Sequence, residues 1–277
     1  MTENLQKKFL IYLPLLILIN CTVRKSPSIA TYDQEEQCGT VVFDNQGNQF
    51  NINNNEIHKM SKSGDTLFVY SSNLYGNIAK LDVSNPMRPL IYYAESQKVI
   101  VTDNTLSKQQ LQIINLDEID LYQTITIANS SFDNGIWIYD QSNFQLIKIN
   151  TFLKKTLETG NLSQILAKDN FRPIKMQEAN GLLYLECKNN GILVFDMYGT
   201  FYKNLGLTNI LQWNIANDLL FFITDSEIST FNIKTKEISI LAPRKNLEDL
   251  EIIHISSLGV SVCENFSIQT IPFSELK

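Results

Sequence analysis

Apolar residues along this chain fall into short runs separated by polar or glycine-bearing turns. One unit recurs: a turn, an apolar run, a second turn, then an alternating run often ending in Asp or Asn. It is clearest at Asn134–Asp140 (NGIWIYD) followed by Phe144–Asn150 (FQLIKIN). Further copies are Asn180–Leu185 with Gly191–Asp196, Asn217–Ile223 with Ile228–Ile233, and Gly64–Tyr70 with Ile78–Val83. Fainter copies are Lys98–Val101 with Leu111–Ile114, and Leu258–Val262 with Ser267–Ile271. The runs are rich in Ile, Val, Phe, Tyr, Thr and Leu, and several alternate in period two, which predicts strands. Units of about 40 residues that cannot bury their own faces predict a stacked ring. The expected fold is therefore all-β, a single β-propeller of six blades over residues 38–277.

Three stretches depart from the repeat. Residues 153–166 predict a short helix or a long loop between blades three and four. Residues 116–121, with Asp117, Glu118 and Asp120, read as an acidic turn. Residues 39–57 predict a hairpin with an asparagine-rich loop, and Thr40–Phe43 is expected to complete the last blade and seal the ring.

The first 20 residues differ in kind. Lys7 and Lys8 precede an apolar run from Phe9 to Ile19, the pattern of a secretory signal. The run is shorter than the roughly 20 residues of a membrane span. It ends in Leu18-Ile19-Asn20-Cys21, which resembles the bacterial lipobox. That resemblance implies removal of residues 1–20 and a lipid on Cys21. Cleavage after Ala30 and a short uncleaved anchor are the competing readings. Residues 21–37 lack periodicity and read as a tether. Arg24 and Lys25, rather than acidic residues, follow the cysteine. By the same resemblance this implies an outer-membrane lipoprotein of the cell envelope facing the periplasm.

Within the fourth unit, Gly191–Gly206 (GILVFDMYGTFYKNLG) resembles the second half of an NHL-type propeller repeat, through Phe195-Asp196 and Gly199-Thr200-Phe201. The resemblance also implies six blades; it implies no activity.

Without residues 1–20 the chain keeps 21 basic and 28 acidic residues, a net charge of −7. That balance, without a basic cluster, argues against a nucleic-acid partner. Apolar content is 44%, enough for a packed core. Besides Cys21 there are Cys38, Cys187 and Cys263. Either all three are buried thiols, or Cys38 and Cys263 form a bridge joining the two ends of the ring.

Candidate chemistry is sparse. His58 and His254 are far apart in sequence, and their spacing does not ask for a shared metal. Asp82, Asp140 and Asp196 end strand-like runs; they can cap turns or ring a channel mouth, and capping is the simpler reading. Trp213 is expected in the packing, with a binding surface as the alternative. No catalytic residue, metal site or cofactor is expected. Two functions follow: a scaffold propeller that meets envelope proteins through its blade loops, or a carbohydrate-binding or hydrolytic propeller using its central channel.

Overall fold

The computed structural model describes residues 39–107, 112–167, 171–247, 250–265 and 267–276. Its strands form six antiparallel sheets, each a meander in sequence order. The first holds β1 (Thr40–Phe43), β2 (Gln49–Asn53), β3 (Glu56–Met60) and β4 (Thr66–Ser71). The second holds β5 (Lys80–Asp82), β6 (Leu90–Tyr93), β7 (Lys98–Val101) and β8 (Gln112–Asn115). The third holds β9 (Thr124–Asn129), β10 (Ile136–Asp140), β11 (Gln145–Ile149) and β12 (Lys155–Glu158). The fourth holds β13 (Pro173–Ala179), β14 (Leu182–Cys187), β15 (Gly191–Asp196) and β16 (Phe201–Asn204). The fifth holds β17 (Gln212–Ala216), β18 (Leu219–Ile223), β19 (Glu227–Asn232) and β20 (Ile238–Pro243). The sixth has three strands among the described residues: β21 (Glu251–Ser256), β22 (Gly259–Glu264) and β23 (Ser267–Ile271).

The sheets are the six blades of a propeller. The first strand of each blade is innermost: β9 packs along β13, β17 along β21, and β21 along β1, which closes the ring. Burial follows from this order. Middle strands such as β6 (LIYY) and β10 (IWIYD) are buried at every position, because a neighbouring blade covers each face. Outer strands such as β4 and β20 are mostly exposed. The core is therefore divided into slabs between successive blades. Tyr93 and Tyr70 join blades one and two, and Tyr92 and Ile138 join two and three. Trp137 and Leu185 join blades three and four, Tyr184 and Trp213 four and five, and Phe221 and Val260 five and six.

The recurring sequence unit marks the middle of a blade. In blades three to six it is the second and third strands, for example β10 and β11 or β14 and β15. In blades one and two the register drifts: Gly64–Tyr70 covers the outer strand β4, and Ile78–Val83 covers β5 of the next blade. Two further expectations are corrected. Thr40–Phe43 does not complete the last blade; it pairs with β2 and is the inner strand of the first. Residues 153–166 are neither all helix nor all loop, since they contain the outer strand β12 and a single turn of helix, α1 (Leu162–Ile165). The expected acidic turn is a 3-10 turn over Leu116–Ile119.

Turn chemistry fixes the hairpins. Asn180 (φ 53°) and Gly181 (φ 73°) form a two-residue turn with both φ positive, which suits the twist of β13 and β14. Gly191 has φ 77°, and a Cβ there would collide with the carbonyl of Leu207. Gly191→Ala is therefore expected to destabilise the protein by about 2 kcal/mol, because strain and the clash outweigh the loss of unfolded-chain freedom. Scanning calorimetry checks this, and an unchanged Tm would refute it. No helix among the described residues is long and apolar enough to cross a membrane.

Candidate functional site

The inner strands enclose a central channel with a cavity of about 1350 Å³. An inner strand has a neighbour on one side only, so its other edge turns unpaired backbone groups toward the channel. Polar side chains meet several of them. Lys80 reaches from blade two and donates from Nζ to Thr126 Oγ1 (3.1 Å), the Ile127 carbonyl (2.6 Å) and the Met176 carbonyl (2.6 Å). It thus ties three blades together. Lys175 of β13 donates to the Trp213 carbonyl and lies 4.7 Å over the Trp213 ring. Gln177 bridges to both the N–H and the carbonyl of Ile215.

Enclosure pulls the Lys80 ammonium down to a pKa of about 8, against the weaker pull of Asp82. Burial does the same to Lys175, also to about 8, and repulsion from Lys80 adds to it. His254 of β21 lines the same channel, packed against Phe43 with ring centroids 5.8 Å apart. Burial drops its pKa to about 3, with repulsion from Lys175 as the smaller cause, so its imidazole is neutral at physiological pH.

Two channel carboxyls, Asp82 and Glu178, sit toward the other end and are held by neutral donors. Asp82 accepts from the Ser84 N–H (2.9 Å) and hydroxyl (2.6 Å), and from the Asn129 N–H (2.8 Å). Glu178 accepts from the Ser131 N–H (2.9 Å) and hydroxyl (2.6 Å) and from Trp137 Nε1 (2.6 Å). Glu186 stands instead on β14 opposite Lys175, accepts from Trp213 Nε1 at 2.7 Å, and has its pKa raised by burial against the smaller pull of Trp213 and Lys175. Along the channel wall itself, Lys80 and Lys175 lie near the starts of their inner strands and Asp82 and Glu178 near the ends.

The residues singled out by sequence are dispersed. Asp82 lines the channel, while Asp140 and Asp196 cap turns at the ends of β10 and β15 by accepting backbone N–H bonds from Ser142, Tyr198 and Thr200. His58 lies 3.1 Å from Glu56 on β3. No group of three or more metal-ligating side chains occurs among the described residues. Trp213 is buried in the packing between blades four and five. Cys187 is a buried free thiol, with its pKa pushed up by burial. Cys263 is disulfide-bonded. Cys21 and Cys38 lie outside the described residues. The reading of three free thiols therefore fails at Cys263.

Sequence reasoning missed Lys80, Lys175, Glu178 and Glu186. The signal that marks them is a charged residue inside an apolar strand run, as in Ala79-Lys80-Leu81 and Ile174-Lys175-Met176.

No family model matches the chain, and no curated protein matches its sequence. Solved structures do resemble it. The Pan2 WD40 domain of Neurospora crassa aligns over 85% of this chain and 79% of its own, with 11% identity and a TM-score of 0.55. A streptogramin B lyase aligns over 84% and 81%, with 14% identity and a TM-score of 0.55. PorZ, a surface component of the type-IX secretion system of Porphyromonas gingivalis, aligns over 85% of this chain but 33% of its own, with 12% identity and a TM-score of 0.51. At such identities the likeness establishes architecture alone, a β-propeller, and the six sheets of this chain are its six blades.

Proposed function

We propose that the protein is a scaffold propeller of the bacterial cell envelope, held to the outer membrane by a lipid on Cys21, and that a partner protein docks on one end of its ring. The observation that carries this reading is a set of large apolar side chains on loops at that end. In each blade the loops joining the first to the second strand and the third to the fourth strand lie at the same end of the ring. There Met87, Phe132, Phe152 and Tyr198 are 63%, 73%, 81% and 73% exposed. A surface loop has no packing reason to carry Phe, whereas partner-binding surfaces are enriched in aromatics and Met. The loops are also anchored. Lys148 pairs with Asp133, next to Phe132, at 3.0 Å, and Asn150 Oδ1 accepts the Phe152 N–H at 2.9 Å. A rigid aromatic surface binds with less entropy lost on ordering.

The test is capture from detergent-solubilised membranes of the native host. Phe132→Ser, Phe152→Ser and Tyr198→Ser together are expected to abolish recovery of a partner while leaving Tm unchanged. Equal recovery by the triple variant, or recovery of the wild-type chain alone under mild detergent, would overturn the docking surface. Palmitate labelling that persists in Cys21→Ser would overturn the anchor.

A further inference from the structure

We propose that the central channel is also a binding site for a small polyhydroxylated acid, a sugar acid or a sugar phosphate, with its anionic group at Lys175 and its hydroxyls along the amide-bearing wall. This is independent of docking on the loop end.

The channel encloses two ammonium groups. Lys80 and Lys175 lie close enough to repel each other, and among the described residues neither is in an ion pair. The acceptors of Lys80 are all neutral oxygens. The ammonium of Lys175 has one carbonyl and an indole face, leaving two N–H donors for a ligand. Glu186 and Asp82 attract Lys175 without bonding to it, since Glu186 accepts from Trp213 Nε1 and Asp82 from Ser84 and Asn129, while Glu178 is taken up by Ser131 and Trp137. An enclosed ammonium whose neighbouring carboxyls are bonded to other donors still has N–H groups to satisfy, and an incoming anion meets them.

A second observation is independent of the lysines. His254 is 7% exposed and lines the channel, yet its Nε2 has no hydrogen-bond partner among the described residues. Buried ring nitrogens are normally satisfied, and an orphan beside a cavity marks a place where a ligand atom belongs. The remaining wall supplies Gln212, Asn214, Asn217, Asn180 and Asn85. Amides offer both donors and acceptors, as hydroxyl groups require. The cavity of about 1350 Å³ is ample for a molecule of one or two sugar rings.

Calorimetric titration of the full chain at low salt tests this with four probes: glucuronate, glucose 6-phosphate, glucose and inorganic phosphate. At least one of the two acids is expected to bind with a dissociation constant below about 1 mM, and at least about tenfold more tightly than glucose or inorganic phosphate. Binding by only one acid decides between carboxylate and phosphate as the anion. Lys175→Met is expected to weaken that binding at least about tenfold, and Lys175→Arg, which keeps the charge, to retain it. Affinity should fall as pH rises through about 8, where Lys175 loses its proton. Glucose binding as tightly as the acids, no binding by either acid, or full binding by Lys175→Met would each overturn the proposal. The comparison of acids with glucose uses the wild-type chain, so it stands even if a variant folds poorly.

Discussion

Glu178→Leu is expected to lower the thermal midpoint of the propeller by roughly 6–12 °C, corresponding to about 3 kcal/mol in a domain of this size. The side chain comes from β13 in blade four, and its hydrogen-bond partners belong to blade three. Oε2 accepts from Trp137 Nε1 and Oε1 from both donors of Ser131. Trp137 is wholly buried, so its indole N–H has no water to turn to once the carboxyl is gone. Leaving a buried donor unmet costs about 1–3 kcal/mol, more than the bond contributes on balance when made. Ser131 is exposed and loses less. The interface between blades three and four is also where Trp137 fills the core with Leu185 and Phe195. A tryptophan free to tilt would loosen that packing. A double-mutant cycle isolates the pair: Trp137→Phe removes the donor, so Glu178→Leu should cost markedly less in that background. A midpoint within 1 °C or so of wild type for Glu178→Leu would sink the assignment of this carboxyl as an inter-blade clamp.

The legible and illegible parts of the molecule separate along physical lines. The middle strands of the blades announce themselves, because both faces are covered and every position is apolar, as in Ile136–Tyr139 and Ile192–Phe195. That suffices for the fold class and the number of blades. Inner and outer strands are harder to see. An outer strand such as β4 (TLFVYS) is as apolar in sequence as a buried one, yet most of it is exposed. It was therefore indistinguishable from a middle strand, and the register slipped in the first two blades. The ring closure depends on which strand Thr40–Phe43 pairs with, a long-range choice that local pattern does not encode. The channel is the extreme case. Lys80 meets Ile127 and Met176 only because three blades converge on an axis; the local run Ala79-Lys80-Leu81 marks the lysine as unusual but does not name those partners. Asp82, Asp140 and Asp196 look alike in sequence, each followed by a turn, but only Asp82 stands on an inner strand and lines the channel.

The largest effect of pH should come from His254. In the unfolded chain its imidazole takes up a proton near pH 6.5; in the ring, burial and the nearby Lys175 hold it neutral down to about pH 3. Between those values the unfolded state binds more protons, so stability rises with pH and falls on acidification through 6.5. The slope approaches 1.4 kcal/mol per pH unit, which amounts to about 2–3 kcal/mol lost by pH 4.5. The carboxyl groups held below their usual range, Asp133 by Lys148 and backbone N–H groups and Asp103 by backbone and hydroxyl donors, add to acid lability, but only at lower pH. Within the window from pH 6.5 to 4.5, Glu186, raised by burial, titrates with the opposite sign, so the difference between wild type and a His254 variant, rather than the slope alone, isolates the imidazole. Urea titrations across it should give a steadily falling unfolding free energy for the wild-type chain. His254→Phe should flatten that slope, since an apolar ring beside Phe43 has no proton to gain and no orphaned nitrogen to bury. Identical profiles for the wild-type chain and His254→Phe over this range would mean that the imidazole finds water or a partner in the channel, and would remove it from the walls of the proposed acid-binding site as well.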